Sequence, residues 1–120
     1  MRILVADHQP RVRFALRTLL GQRPGLEVVG EATTAGETLA LAGTARPDLI
    51  LLHWRLNEMT EDIFPALDRA CPGVRIIVLS ARPEARREAL AAGADAFVCK
   101  TDQPEVLLAA IKRAGQDPAQ

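Results

Sequence analysis

The sequence lacks any long apolar run. A representative run, Leu49–Leu52, ends at His53, whereas a segment that spans a bilayer needs about 20 apolar residues. The first residues reach a carboxylate at Asp7, which is too early for the apolar core of a signal peptide. The sequence therefore predicts no membrane segment, and we expect a cytoplasmic location.

The sequence also lacks an excess of charge of either sign, and it is poor in cysteine. Lys plus Arg total 15 and Asp plus Glu total 15, so the net charge is zero. A domain that binds nucleic acid through its phosphates is usually basic, so we expect no direct nucleic-acid partner. The two cysteines, Cys71 and Cys99, are too few for a disulfide framework or a four-ligand zinc site. Both are predicted to be reduced packing residues.

What the sequence does have is a regular alternation of short apolar runs and segments with helical periodicity. Its 120 residues are 48% apolar, which predicts one globular domain. The apolar runs lack polar alternation, as is typical of strands that are covered on both faces. Together with five helical segments they predict an α/β fold, with a parallel sheet between two layers of helices. The predicted strands are Ile3–Ala6, Leu26–Gly30, Leu49–Leu52, Arg75–Leu79 and Ala96–Cys99.

Polar residues and glycines mark the predicted helix boundaries. Thr34 with Glu37 has the spacing of a capping box at the start of the second helix, and Asp102 with Glu105 has it before the fifth helix. Glycine tolerates the left-handed conformation that commonly ends a helix. The glycines predicted to end helices are Gly21, Gly43, Gly93 and Gly115.

The third helix is constrained by Pro65, because proline damages the interior of a helix. If Asp62 is the cap, Pro65 falls in the first turn, where it is tolerated. We therefore predict a loop from Trp54 to about Glu61, followed by a short helix that ends near Cys71–Gly73.

The carboxyl ends of parallel strands meet at one edge of a sheet, and ligands bind there in doubly wound folds. Several polar side chains come directly after the predicted strands. These residues are Asp7 and His8 after the first strand, His53 and Trp54 after the third, Ser80 after the fourth and Lys100 after the fifth. The pattern predicts that they lie close together.

Four segments, in order along the chain, resemble the bacterial response-regulator receiver domain. Ile3–Asp7 with Pro10 resembles the first strand and the start of the first helix of that family. Pro47–Leu52 resembles its third strand. Ile77–Ala81 and Ala92–Lys100 resemble its fourth and fifth strands.

The resemblance implies a flavodoxin-like, doubly wound sheet of five parallel strands in the order 2-1-3-4-5, with five helices. The receiver domain would cover residues 1–115, and residues 116–120 would be a polar tail or the start of a linker. Lys100 followed by Thr101 is similar to receivers that are attached to helix-turn-helix transcription factors.

The residues at two of the family's functional positions differ. In the family, two adjacent acids after the first strand help to hold Mg²⁺, and an aspartate at the end of the third strand accepts a phosphoryl group. Here Asp7 keeps one acid, His8 stands in place of the other, and His53 stands in place of the phosphoacceptor. Imidazole is a poor ligand for Mg²⁺. The resemblance therefore implies no aspartyl phosphotransfer, no catalytic residue, and weak or absent Mg²⁺ binding, with no other cofactor.

The resemblance assigns switch-like roles to Ser80, Phe97 and Lys100. Each residue also has a plainer interpretation. Ser80 can cap the helix that begins beside Pro83, and Phe97 can be a core aromatic residue. Lys100 is expected to pair with Asp7, because a partly buried charge needs a partner.

Three alternatives are open for the histidines. His53 could itself accept a phosphoryl group. Asp7, His8 and His53 could together hold Zn²⁺ or Fe²⁺, for which two imidazoles and one carboxylate are suitable ligands. The two imidazoles could instead titrate near neutral pH and make the domain a pH-responsive module.

The function implied by the resemblance is a receiver domain of two-component phosphorelay signalling that is not an enzyme and works as a phosphorylation-independent interaction module. Its surface for a protein partner or a homodimer would be the fourth helix, fifth strand and fifth helix, with Arg82, Arg86 and Arg87. A small-molecule binder is the competing class. However, Asp7–Arg11 does not resemble a flavin phosphate loop, and the sequence has no Asp-x-His-x-x-Gly string of the cobalamin type.

Overall fold

A computed structural model describes residues 1–56, 59–60 and 62–116. The described chain forms a five-stranded parallel sheet in the order β2-β1-β3-β4-β5. The strands are β1 (Arg2–Ala6), β2 (Glu27–Ala32), β3 (Leu49–His53), β4 (Arg75–Ser80) and β5 (Ala96–Cys99). The helices are α1 (Pro10–Gly21), α2 (Ala35–Ala45), α3 (Ile63–Ala70), α4 (Arg86–Ala92) and α5 (Pro104–Gly115), and a 3₁₀ turn (Pro83–Ala85) precedes α4. The predicted flavodoxin-like fold is confirmed.

The three central strands are buried because their apolar side chains are covered on both faces of the sheet. Alternate residues enter two separate clusters, as the pleat of a strand requires. One cluster lies with α1 and α5 and contains Ile3, Val5, Leu49, Leu51, Ile77, Leu79 and Val98. The other lies with α2, α3 and α4 and contains Leu4, Ala6, Ile50, Leu52, Ile76, Val78 and Phe97.

Strand β2 is less regular than the central strands. It was predicted over Leu26–Gly30, but it spans Glu27–Ala32 and most of its residues are only half-buried. In the pairing of β2 with β1, Ile3 faces Val28, but the next residue, Leu4, faces Gly30. The register of the two strands therefore shifts between Ile3 and Leu4. One additional residue of β2 is therefore accommodated as a bulge.

The start of α2 is close to the prediction, and the start of α5 is not. Thr34 caps α2, because its hydroxyl accepts a hydrogen bond from the Glu37 backbone N–H at 3.1 Å. The Glu37 carboxylate bonds to the hydroxyl and backbone N–H of Thr33 instead of Thr34, and these bonds lower the pKa of Glu37.

The predicted cap at Asp102 is wrong. Helix α5 begins after Gln103, and Asp102 accepts a hydrogen bond from the Cys99 N–H at 3.1 Å.

Three of the four glycines predicted to end helices lie at helix ends, and Gly43 does not. Helix α2 continues through Gly43 to Ala45 and is followed by Arg46, which adopts a left-handed φ of 49°. Gly21 and Gly115 are the last residues of α1 and α5, and neither has a positive φ. Gly93 ends α4 as predicted, with φ of 132°.

Helix α3 follows Asp62 and places Pro65 in its first turn, as predicted. The Asp62 side chain makes no capping hydrogen bond. Of the predicted loop from Trp54 to Glu61, residues 57, 58 and 61 lie outside the described residues.

Both cysteines are buried free thiols, in agreement with their predicted packing role. In the predicted tail, residues 117–120 lie outside the described residues. Within residues 1–56, 59–60 and 62–116, no helix is long and apolar enough to cross a bilayer.

Candidate functional site at the carboxyl edge of the sheet

Asp7 lies at the centre of the carboxyl edge, directly after β1, and it is only 1% exposed. Its backbone N–H donates to the Ala32 carbonyl, which fixes the chain as it leaves the sheet. One carboxylate oxygen, Oδ1, accepts from the Gln9 N–H at 2.9 Å. The other, Oδ2, accepts from Lys100 Nζ at 2.7 Å. The predicted Lys100–Asp7 pair is therefore present, and it gives the buried carboxylate its counter-charge.

His53 is the last residue of β3 and faces the same carboxylate. Its Nδ1 lies 3.6 Å from Asp7 Oδ2, beyond hydrogen-bond distance. This nitrogen is buried, and it has no hydrogen-bond partner among residues 1–56, 59–60 and 62–116. Burial lowers the pKa of His53 below the usual 6.5, the positive charge of Lys100 lowers it further, and Asp7 acts in the opposite direction. This environment favours the neutral form of the His53 imidazole.

His8 also reaches this site, although neighbouring residues on a strand point to opposite faces. Strand β1 ends at Ala6, so that rule does not apply to Asp7 and His8. The His8 Nδ1 lies 3.9 Å from Asp7 Oδ1, and the two imidazole rings have their centroids 5.0 Å apart. The side chain of His8 is 40% exposed, so it covers the outside of the site.

The candidate metal ligands Asp7, His8 and His53 do lie close together. Nevertheless, over the described ranges 1–56, 59–60 and 62–116, no three His, Cys, Asp or Glu side chains are placed to hold a metal ion together. The Asp7 oxygen nearest to His53 is occupied by the Lys100 ammonium group. The Lys100 ammonium group thus already supplies a counter-charge to this oxygen.

Ser80 and Phe97 have ordinary structural contacts. The Ser80 hydroxyl is buried and accepts from the Arg82 N–H at 3.1 Å, just before the turn that begins at Pro83. Phe97 is 5% exposed and lies in the core, with the Arg86 guanidinium 5.1 Å from its ring centroid. The contacts of Phe97 agree with its interpretation as a core aromatic residue. Ser80 is not a helix cap, because neither the 3₁₀ turn nor α4 begins with a side-chain capping hydrogen bond; its hydroxyl bonds the backbone two residues further on.

A cavity of about 250 Å³ lies beside His53. Besides His53, its lining includes Trp54, Ser80, Arg82, Ala85 and Glu88. The cavity therefore extends from the end of β3 to the surface of α4.

Sequence reasoning missed two sets of contacts at this edge, those of Arg13 and Arg17 and that of Trp54. Arg13 donates from Nη1 to the Asp7 backbone carbonyl at 2.7 Å and from Nε to Glu31 at 3.2 Å, and Arg17 also contacts Glu31. The Trp54 indole N–H donates to Glu88 of α4 at 3.0 Å. The position of Trp54 directly after an apolar strand was the available signal, since a partly buried indole N–H usually finds an acceptor.

The predicted partner residues lie around α4. Arg82, before the 3₁₀ turn, pairs with Glu84 at 3.2 Å and remains 60% exposed. Arg86 covers Phe97, and Arg87 is exposed. Leu90 of α4 and Val106 of α5 are exposed as well, at 40% and 42%.

The fold and this edge define a class of signalling domain. Residues 3–112 match the family model of the response regulator receiver domain. The chain belongs to this family, whose members act in two-component signalling.

Similar proteins agree with the family assignment. The nitrate/nitrite response regulator protein NarP of Escherichia coli is 37% identical over 115 residues, covering 92% of this chain and 53% of NarP. The DNA-binding transcriptional activator DevR/DosR of Mycobacterium tuberculosis is 36% identical over 119 residues, covering 93% of this chain and 52% of DevR/DosR. A crystal structure of a LuxR-family two-component response regulator from Aurantimonas sp. SI85-9A1 has a TM-score of 0.83 and 30% identity, covering 92% of this chain and 81% of the other. The chain spans about half the length of the curated relatives it matches.

Proposed function

We propose that this receiver domain works without aspartyl phosphorylation, as a protein-interaction module of two-component signalling and not as an enzyme. The observation that carries the proposal is the side chain at the end of β3. An imidazole faces Asp7 there, where a carboxylate nucleophile would have to stand. The cytoplasmic location expected from the sequence is part of this proposal.

The electrostatics of the site support the same conclusion. Phosphoryl transfer to a carboxylate is mostly positioning together with neutralisation of charge by a metal ion. Among the described residues of this edge, Asp7 supplies the one carboxylate, and the Lys100 ammonium group pairs with it at 2.7 Å. His8 and His53 offer nitrogen ligands, whereas Mg²⁺ prefers an octahedral set of oxygens. The residues present therefore do not fit Mg²⁺.

The test is incubation of the purified domain with acetyl phosphate and Mg²⁺, followed by intact mass spectrometry. We expect no covalent phosphoryl adduct on the wild-type chain. The double variant His8→Asp, His53→Asp restores both acids, and we expect it to gain a stoichiometric adduct on the new aspartate at the end of β3. His8→Asp alone is the matched control and should stay unlabelled.

A wild-type adduct would contradict the proposal, and its position would say how. Labelling at His53 would establish the alternative in which the histidine is itself the phosphoacceptor. Labelling at Asp7 would show that the remaining carboxylate can still react despite its pair with Lys100.

The proposed working surface is α4, β5 and α5. Receiver domains interact with other proteins and dimerise in response regulators, which makes a second copy the first occupant to test. Arg87, Leu90 and Val106 give this surface exposed charged and apolar groups.

Sedimentation velocity should show a dimer that Leu90→Asp weakens. Phe14→Asp is the control, because Phe14 is 61% exposed on α1. A monomer at every concentration would exclude the second copy, and loss of the dimer in Phe14→Asp alone would move the interface to α1.

A pH-responsive module is the second candidate, and the environment of His53 favours it. Its buried Nδ1 has no hydrogen-bond partner in the described part of the chain, and His53 lies near Asp7, Lys100 and His8. Protonation would place a second cation beside the Asp7–Lys100 pair. If pH controls the domain, the NMR shifts of Ser80 and Phe97 should change between pH 7.5 and 5.5 in the wild type but not in His53→Gln.

A further inference from the structure

Helix α4 is the least anchored helix of the domain. It has seven residues, and its one buried side chain is that of Ala89. Helix α3, by comparison, buries Ile63, Phe64 and Leu67. Because a methyl group buries little apolar area, the position of α4 depends on contacts made by its longer side chains.

Two such contacts hold α4, and they come from its opposite sides. Arg86 covers the ring of Phe97 on β5 at 5.1 Å. Glu88 accepts the indole N–H of Trp54 at 3.0 Å. The second contact ties the helix to the residue that directly follows His53.

Trp54 is itself held firmly in place. Its backbone N–H donates to the Leu79 carbonyl of β4 at 2.8 Å, and its ring lies 6.3 Å from that of Phe64 on α3. The next residue, Arg55, has a left-handed φ of 70°, so the chain turns sharply after the indole. The indole is therefore a fixed donor, and Glu88 is the partner that can move with α4.

The Trp54–Glu88 pair also lies between two cavities. Both residues line the cavity beside His53 and a second cavity that includes Leu56, Phe64 and Ala92. Loss of the hydrogen bond would remove the contact that the two cavities share. Helix α4 could then move relative to the residues around His53.

We propose that the Trp54–Glu88 hydrogen bond is a latch that couples the site at His53 to the position of α4. The latch deepens the proposed function, because α4 is part of the surface assigned there to protein partners. A partner that presents a cation to Glu88 would compete with the indole and release the latch. By reciprocity, a change at His53 that weakens the Trp54–Glu88 hydrogen bond would alter affinity at α4.

The first measurement uses Trp54 fluorescence, which is selective because the chain has one tryptophan and no tyrosine. Glu88→Ala removes the acceptor, and we expect acrylamide quenching of Trp54 to rise about twofold, with a shift of emission to longer wavelength. Glu88→Gln keeps an acceptor oxygen and should stay close to the wild type. Glu84→Ala is the matched control, because Glu84 is an exposed glutamate that pairs with Arg82 instead.

The second measurement is hydrogen exchange of the backbone amides over residues 86–92. If Glu88→Ala removes a hydrogen bond of typical strength, amide exchange in this segment should become about twofold to tenfold faster. Glu88→Gln and Glu84→Ala should change the exchange rate little. The amide NMR shift of His53 should change in Glu88→Ala as well. Unchanged quenching and exchange in Glu88→Ala, or equal effects of Glu84→Ala, would overturn the latch. An unchanged His53 shift would overturn the coupling.

These outcomes are independent of phosphorylation. The measurements use the isolated domain without phosphodonor, so a failed latch leaves the proposed function untouched. Phosphoryl labelling of the wild-type chain would overturn the proposed function and leave the latch standing.

Discussion

Leu52 and His53 are neighbours on β3, but they belong to two different regions of the molecule. Leu52 lies in the sheet interior, which is apolar and fully buried. His53 lies at the carboxyl edge, where Asp7 pairs with Lys100 and where one imidazole nitrogen has no partner among the residues that the structure describes. The interior depends on apolar volume that many residues share, whereas the edge depends on individual functional groups. A substitution at the edge can therefore change the chemistry of the domain and leave its fold intact.

The largest effect is expected in the interior. Leu52→Ala removes a fully buried side chain and should lower the free energy of unfolding by about 2–5 kcal/mol, because it leaves a cavity in the core. Urea unfolding measures the change. Val106→Ala, at a site 42% exposed, is the control and should stay within about 0.5 kcal/mol of the wild type. A loss below about 1 kcal/mol at Leu52 would mean that the interior repacks freely.

The next effect is expected at the edge. Lys100→Met leaves the buried Asp7 carboxylate without its cation and should cost about 2–3 kcal/mol in the same assay. Adding Asp7→Asn should recover part of the loss, since the neutral amide no longer needs a counter-charge. Lys112→Met, on the exposed last turn of α5, is the control. If the losses of stability caused by Lys100→Met and Asp7→Asn simply add in the double variant, the two side chains do not stabilise each other.

Some polar residues close to the edge have a purely structural role, and Thr34 is an example. Thr34→Ala removes the α2 cap and should cost about 1 kcal/mol, without any effect on phosphodonor labelling or on Trp54 fluorescence. Thr44→Ala, near the exposed end of α2, provides a matched control. A change in either functional readout would place Thr34 among the functional residues of the edge.

The smallest effect is expected from mild acid. The folded protein binds a proton at His53 less readily than the unfolded chain does, because burial lowers the pKa of His53 below 6.5. The full stability is therefore present above pH 6.5 and is lost as the pH falls below 6.5 toward the lowered pKa. Between pH 7.5 and 6 the loss should stay below about 1 kcal/mol, and urea unfolding of His53→Gln should show a smaller loss. An equal loss in the variant would assign the pH dependence to other groups.

The two regions also differ in how far the sequence predicts them. The apolar runs predicted all five strands, because burial on both faces requires continuous apolar residues. The prediction of β2 was the least accurate, because the strand continues through Glu31 and Ala32 beyond Gly30. This strand is mostly half-buried, so it needs continuous apolar residues less than the central strands do. The α2 end was missed because Arg46 adopts a left-handed conformation that composition does not reveal.

At the carboxyl edge the sequence predicted which residues meet, but only part of how they meet. Asp7, His53 and Lys100 each follow a strand, so their convergence and the Lys100–Asp7 pair could be predicted. The unpartnered Nδ1 of His53 and the Trp54–Glu88 bond depend on side-chain orientation across elements that are far apart in sequence. No local pattern encodes such orientations.

The bulge in β2 and the two arginines that contact Glu31 affect how readily domains associate in a concentrated solution. Strand β2 lies at the border of the sheet, where unpaired backbone groups could recruit a strand from another molecule. The bulge interrupts its regular pleat, and Arg13 and Arg17 keep charged groups fixed beside it. Together they disfavour edge-to-edge aggregation at this border.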